Sequence, residues 1–233
     1  MRFQLSLALI GLALSLAPAS AWAQGKKQPM AGDPYTLATC PISGKALGSM
    51  GDPIVKVYDG REVRLCCGGC LGTFEKDKAK HFKAIDKMMI ADQKGYYPSK
   101  MCVVSKKSLM KKGKDIGIDV IVGNRLFRLC SDACKKKLIA KPKKYLARLD
   151  KATAKKQREK YPLETCLVAG GKLGSMGKPV EVVIASRLVR LCCKGCPTKL
   201  LASPPKYLPK LDAAWKASGD GKKAAGGHGK HKH

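Results

Sequence analysis

Apolar and polar positions along this chain fall into a pattern that recurs three times after an apolar run at residues 5–16. In the first copy, residues 54–58 and 61–65 are two short β-prone stretches joined at Asp59-Gly60. In the second copy the two stretches meet at Gly123-Asn124, and in the third at Ala185-Ser186. Asp-Gly and similar dipeptides between short apolar runs predict two-residue β-hairpins, and Ala185-Ser186 is the weaker signal of the three. After each hairpin a Cys-x-x-x-Cys leads into a helical stretch. A second short helix is predicted to close each copy. Pro142 and Pro204-Pro205 open it in the second and third copies, at a helical position where Pro is tolerated.

Other landmarks recur at matching offsets. Cys40, Cys102 and Cys166 follow one another at offsets of 62 and 64, while Arg64-Leu65-Cys66, Arg128-Leu129-Cys130 and Arg190-Leu191-Cys192 do so at 64 and 62. The closing pairs Ile85-Asp86, Leu149-Asp150 and Leu211-Asp212 follow the same rule. Agreement of independent landmarks establishes an internal repeat. Copies one and three also share Leu-Gly-Ser-Met-Gly-x-Pro at residues 47–53 and 173–179. The middle copy instead reads Leu109-Met110-Lys111-Lys112-Gly113. The expected architecture is α+β, with three tandem small Cys-rich modules, each a β-hairpin followed by short helices. The expected boundaries are a linker at 24–34, repeats at 35–90, 97–150 and 161–212, a charged linker at 151–160, and a disordered Gly/Lys/His tail at 213–233.

The start of the chain predicts a secretory signal peptide over residues 1–23. Arg2 supplies a positive n-region, and Pro18 follows an apolar run too short to span a bilayer. Ala21-Trp22-Ala23 fits a cleavage site before Gln24. No later stretch is apolar for long enough to span a bilayer, so a soluble periplasmic or secreted protein is expected, in an oxidising compartment.

Composition narrows the function. Lys plus Arg number 46 against 17 Asp plus Glu, a net charge of +29, which excludes an ordinary acidic cytosolic enzyme. The excess is concentrated in residues 97–150, with 15 basic and 4 acidic residues. In an exported protein this points to an acidic envelope polymer, lipid headgroups or an acidic protein partner rather than nucleic acid. Nothing pairs a nucleophile with a base, and the four histidines are His81 and three in the tail, so an enzyme is disfavoured.

The eleven cysteines carry the chemistry. Each unit is too small for a core alone to stabilise it, so staples or metal ligands are expected. The spacing is Cys-x25-Cys-x3-Cys in copies one and three and Cys-x27-Cys-x3-Cys in copy two. This selects Cys40, Cys66 and Cys70; Cys102, Cys130 and Cys134; and Cys166, Cys192 and Cys196. Cys67 and Cys193 are left as auxiliary thiols, and Ser131 holds their place in copy two. A hairpin end and a helix start can bring three sulfurs onto one ion, and soft thiolates select Cu(I) or Zn(II) over Mg or Ca. Disulfide bonding is the rival in an oxidising compartment. Three cysteines per copy would leave one unpaired each time, which favours metal. Arg64, Arg128 and Arg190 sit two residues before the central Cys, on the same strand face, where a cation would favour the thiolate. The alternative is that they decorate the solvent face of the hairpin.

Thr39-Cys40-Pro41-Ile42-Ser43-Gly44-Lys45, the Gly-Ser-Met-Gly loop, residues 60–70 and the late Pro-x-Lys-Tyr-Leu resemble the YHS/TRASH family of small heavy-metal-binding domains. The likeness covers all three tandem copies, most clearly the first and third. It implies a treble-clef-like fold, with Cys40, Cys66, Cys70 and their counterparts as metal ligands. It also implies a role in copper or other soft-metal sensing, trafficking or resistance. The middle copy departs by lacking the Pro after the first Cys and the Gly-Ser-Met-Gly loop. His81 takes the register of Tyr145 and Tyr207 and is expected to pack rather than ligate. Met50 and Met176 are expected to plug the Gly-rich loop, and His228, His231 and His233 to lie in a mobile tail.

Overall fold

The computed structural model describes residues 32–219, a mixed α+β structure. The first unit runs β1 (Ile54–Tyr58), β2 (Arg61–Leu65), α1 (Gly68–Lys76) and α2 (Lys78–Lys94). The second adds a small hairpin, β3 (Met110–Lys111) and β4 (Lys114–Asp115), where the Gly-Ser-Met-Gly loop is missing. It continues with β5 (Ile118–Val122), β6 (Arg125–Leu129), α3 (Asp132–Ala140) and α4 (Pro142–Arg158). The third runs β7 (Val180–Ile184), β8 (Arg187–Leu191), α5 (Cys196–Ala202) and α6 (Pro204–Ala217). The strands pair only within their own antiparallel hairpins, in register from Ile54↔Leu65, Ile118↔Leu129 and Val180↔Leu191 to the turns.

All three main turns have positive φ at both central residues: Asp59 and Gly60, Gly123 and Asn124, Ala185 and Ser186. That is the conformation of a two-residue hairpin whose twist matches its strands. Ala185-Ser186 adopts it without a glycine, and both residues are fully buried. Non-local bonds hold them there: the Ala185 N–H donates to Asp33 (2.6 Å) and the Ser186 carbonyl accepts from the Gln157 amide (2.9 Å).

Each unit packs its own apolar core between the second strand of the hairpin and the two helices. Val63, Leu65, Phe74, Ile85 and Met89 form the first. Leu126, Leu129, Leu138 and Leu149 belong to the second, and Val189, Leu191, Leu200, Leu211 and Trp215 to the third. The units also lock together. Gln93 near the end of α2 donates to the Asn124 carbonyl (2.8 Å) and accepts from the Leu126 N–H (2.9 Å). Gln157 of α4 repeats this one unit later, donating to Ser186 and accepting from Leu188 N–H (2.7 Å). Within units two and three, the Tyr97 and Tyr161 hydroxyls accept from the N–H groups of Arg128 and Arg190, each at 3.1 Å. Both helix-to-hairpin junctions are therefore two-point staples from one unit to the turn of the next.

An ionic hub lies at the hairpin turns. Arg61, Arg125 and Arg187 open the second strand of each hairpin and pair with the closing aspartates of their own units: Arg61 with Asp86 (2.6 Å), Arg125 with Asp150, and Arg187 with Asp212 (2.6 Å). Arg125 also meets Asp33 (2.8 Å), and Arg187 meets Asp92 (2.8 Å). Arg125 and Arg187 are among the largest fully buried side chains of the described residues. A buried guanidinium without its carboxylate would cost several kcal/mol, so these pairs fix the placement of the hairpins.

Several expected boundaries move. Residues 151–158 are no linker; they are the last two turns of α4, with Thr153 and Gln157 buried. The closing helices are not short: α2 and α4 have 17 residues each, α6 has 14, and α2 runs on past residue 90. A single residue (Asp77, Lys141 or Ser203) separates each from the helix before it. Residues 213–217 belong to α6, with Trp215 buried, rather than to a tail. Asp33, expected in a linker, is part of the hub. The signal peptide, most of the 24–34 segment and the three tail histidines lie outside the described residues.

Candidate metal centres

The first cysteine of each triad sits in a tight loop. The Cys40 carbonyl accepts from Gly44 N–H (2.9 Å), and its own N–H reaches the Lys45 carbonyl (2.8 Å). Cys102 and Cys166 make the same pair of bonds, with Lys106 and Lys107 and with Gly170 and Gly171. The residue closing each loop has positive φ: Gly44 (70°), Lys106 (62°) and Gly170 (74°). Only the middle unit asks a side-chain-bearing residue to adopt this disfavoured conformation. The second cysteine follows the last residue of the hairpin, and the third lies in the first turn of α1, α3 or α5.

These elements bring Cys40, Cys66 and Cys70 together, and likewise Cys102, Cys130 and Cys134, and Cys166, Cys192 and Cys196. Within each set the sulfurs all lie within 4.8 Å of one another. The closest separations are 3.6 Å for Cys66–Cys70, 3.7 Å for Cys130–Cys134 and for Cys166–Cys196, and 3.9 Å for Cys192–Cys196. A tetrahedral ion with metal–sulfur bonds of about 2.3 Å sets its sulfurs about 3.8 Å apart. The closest sulfurs thus stand near the spacing a shared ion requires, far beyond a disulfide bond of about 2.05 Å. The triads could each hold a metal ion. The middle unit builds its triad despite lacking Pro after Cys102 and the Gly-Ser-Met-Gly loop.

The thiols of a triad are unlike one another. Burial pushes the Cys40 thiol up. The N–H groups of Ser43, Cys66 and Ile42 and the Ser43 hydroxyl outweigh it and bring Cys40 down to about 6. Cys102 and Cys166 come down to about 7 by the same contest between burial and local donors. Burial, then contacts with the neighbouring thiols, push Cys70 and Cys196 up to about 12. Units one and three thus each offer one ready thiolate and one thiol that gives up its proton only to something as strongly cationic as a metal.

The arginines expected to activate these thiols do not reach them. Arg64 pairs with Glu62 (2.7 Å), Arg128 with Asp115 (2.5 Å) and Asp119 (2.8 Å), and Arg190 is 3.6 Å from Glu181. Nor do Arg64 and Arg128 decorate a solvent face, since both are buried; Arg190 is half-buried. Backbone donors take the role assigned to the cations.

Cys67 and Cys193 stand outside the triads, half-buried at the rim. Cys67 lies 3.9 Å from Cys66, and Cys193 lies 3.5 Å from Cys196. His81 stacks on Phe74, with ring centroids 5.8 Å apart, and joins no triad. Met50 and Met176 plug nothing; they are 53% and 70% exposed. Two serines escaped the sequence reading. The hydroxyls of Ser43 and Ser105 each lie 3.2 Å from a central sulfur, Cys66 and Cys130 respectively, and Ala169 holds their place in the third unit. The shared offset of three from the first cysteine was the available signal.

Comparison of the chain with family models, with curated proteins and with solved structures finds no match.

Proposed function

We propose that this protein is an exported, non-catalytic metal-binding protein that holds Cu(I) or Zn(II) in three tandem treble-clef-like modules of YHS/TRASH type. Its service is buffering, delivery or tolerance of soft ions. The observation that carries this reading is the sulfur spacing. Three separate triads have closest sulfurs at 3.6–3.9 Å, the edge length of a thiolate tetrahedron. The rim thiols Cys67 and Cys193 are auxiliary.

The test is elemental analysis of the reduced chain after anaerobic exposure to Zn(II) or Cu(I). The expected result is two to three ions per chain. Less than one ion, with every thiol still titratable, overturns the proposal. Export is tested by N-terminal sequencing of the protein from its native compartment, with Gln24 as the expected first residue.

A second reading rests on the basic face of the middle unit. Lys135, Lys136, Lys137, Lys141, Lys143 and Lys144 are all exposed on or between α3 and α4. An acidic envelope polymer or an acidic protein would dock there. Its retention should fall steeply as salt rises and survive removal of metal.

A further inference from the structure

We propose that Cys67 with Cys70, and Cys193 with Cys196, are dithiol pairs that a low-molecular-weight disulfide oxidises to intrachain disulfides, emptying units one and three while sparing unit two. The release of ions rests on the metal-binding reading; the oxidation itself does not.

The middle unit shows what this position needs for folding alone. Ser131 is the N-cap of α3, and its hydroxyl accepts from the Cys134 N–H (3.4 Å). Ser is among the best N-cap residues. Cys67 is the N-cap of α1 and makes no such side-chain bond. Cys is not among the residues favoured at an N-cap, so capping is a weak reason for a cysteine here.

The geometry suits a bridge most directly in unit three; in unit one Cys67 and Cys70 hold the same sequence offset, and the Cys67 carbonyl accepts from the Leu71 N–H (3.2 Å). The Cys196 N–H donates to the Cys193 carbonyl (3.3 Å), closing a turn. In such a turn the end Cα atoms lie within about 7 Å, a span that overlaps the Cα separations of roughly 4.4–6.8 Å found across disulfides. The two sulfurs are already 3.5 Å apart. A bridge between Cys66 and Cys67 is disfavoured, because the Cα atoms of consecutive residues are too close, at about 3.8 Å, for the ordinary disulfide geometry. In each pair one thiol is half-buried and its partner buried, so the rim thiol meets the reagent first. The backbone beside the rim thiols is open: nothing lies within 4 Å of where a side chain would begin at Gly68, Gly69 or Gly195.

The exchange balances without further reagents. The Cys67 thiolate attacks one sulfur of RS–SR, and the first RS⁻ leaves. Cys70 then attacks the Cys67 sulfur, the intrachain S–S bond forms, and the second RS⁻ leaves. Two protein thiols lose two electrons and two protons; the reagent becomes two RSH. A sulfur in a disulfide is no longer a thiolate ligand. Units one and three would each drop from three triad ligands to two. Unit two has Ser131 at this position and so lacks a rim thiol; its close sulfurs, Cys130 and Cys134 at 3.7 Å, are both triad ligands that a bound ion would hold.

The experiment uses the full mature chain loaded with Zn(II) and treated anaerobically with oxidised glutathione. A chromogenic chelator reads the released zinc, and non-reducing peptide mapping by mass spectrometry reads the linkages. About two of three ions should be released, with Cys67–Cys70 and Cys193–Cys196 bridged and the middle unit reduced. Equal release from all three units overturns the proposal, as do linkages Cys66–Cys70, Cys192–Cys196 or Cys130–Cys134 in place of the named ones. Parallel mapping on the metal-free chain decides the pairing even if zinc never binds, so failure of the metal reading is seen separately. The double variant Cys67→Ser with Cys193→Ser should retain its zinc under the same treatment. Release at the rate of the unsubstituted chain would refute the assignment.

Discussion

Cys66 and Cys67 are neighbours in sequence, but only Cys66 joins the triad with Cys40 and Cys70. In the full-length chain, Cys66→Ser should weaken zinc binding by unit one at least tenfold, and more than Cys67→Ser does. Competition against a chromogenic chelator measures this; the reverse order would put the ligand register one residue off. Proton release supplies a second check. Cys40 is ionised at neutral pH, because its folded value has fallen to about 6. Zinc loading there should release fewer protons than there are ligating thiols. As pH falls through about 7, Cys102 and Cys166 protonate, and Cys40 follows near 6. A lowered thiol value favours the bound state above it and loses that advantage below it. The zinc affinity of all three units should therefore fall as pH drops through about 7 to 6. Zinc retention measured stepwise from mildly alkaline to mildly acidic pH tests this.

Among the elements, the helix that ends one unit matters most where it meets the next hairpin. Gln157→Ala leaves the Leu188 N–H and the Ser186 carbonyl buried without their partner. It should cost about 1–3 kcal/mol in denaturant unfolding, with no change in the thiol count. This part of the fold was poorly legible. The hairpins in units one and two could be read because Asp59-Gly60 and Gly123-Asn124 prefer the required backbone whatever surrounds them. The nine triad cysteines could be read because three sulfurs with fixed offsets have few other uses. Gln157, by contrast, sits in a run so rich in lysine that it reads as solvated linker, although the spacing Leu149, Thr153, Gln157 marks one buried helical stripe. Arg61, Arg125 and Arg187 read as ordinary polar strand positions. Their offsets of 64 and 62 match those of Asp86, Asp150 and Asp212, but a shared offset does not say that two residues touch. Ala185-Ser186 looked like a weak turn because its local preference is weak; bonds from Asp33 and Gln157, distant in sequence, decide it.

Over the whole molecule, three small cores and a charged hub hold the fold, and an ion at each proposed site would add to them. Chelation of the zinc-loaded, reduced chain should lower its melting temperature and loosen each unit around its first-cysteine loop. Circular dichroism and thermal unfolding unchanged by complete metal removal would show that the hub suffices. The staples have a consequence in time. A hairpin whose turn contains no glycine gains little from its own sequence, so β7 and β8 wait for Gln157, and therefore for α4. Folding should acquire a direction at this point, with α4 preparing the seat of the third hairpin and the third unit maturing last. Trp215 lies in the third core and is the tryptophan of the described residues, so its fluorescence reports that last step. Ser186→Gly relieves a left-handed residue at φ 61° but also removes the buried hydroxyl that donates to Gln93 (3.5 Å), so the net change in stability should stay within about 1 kcal/mol. The same change should shorten the lag of the Trp215 signal on refolding, because a hairpin able to close by itself no longer queues behind the helix before it.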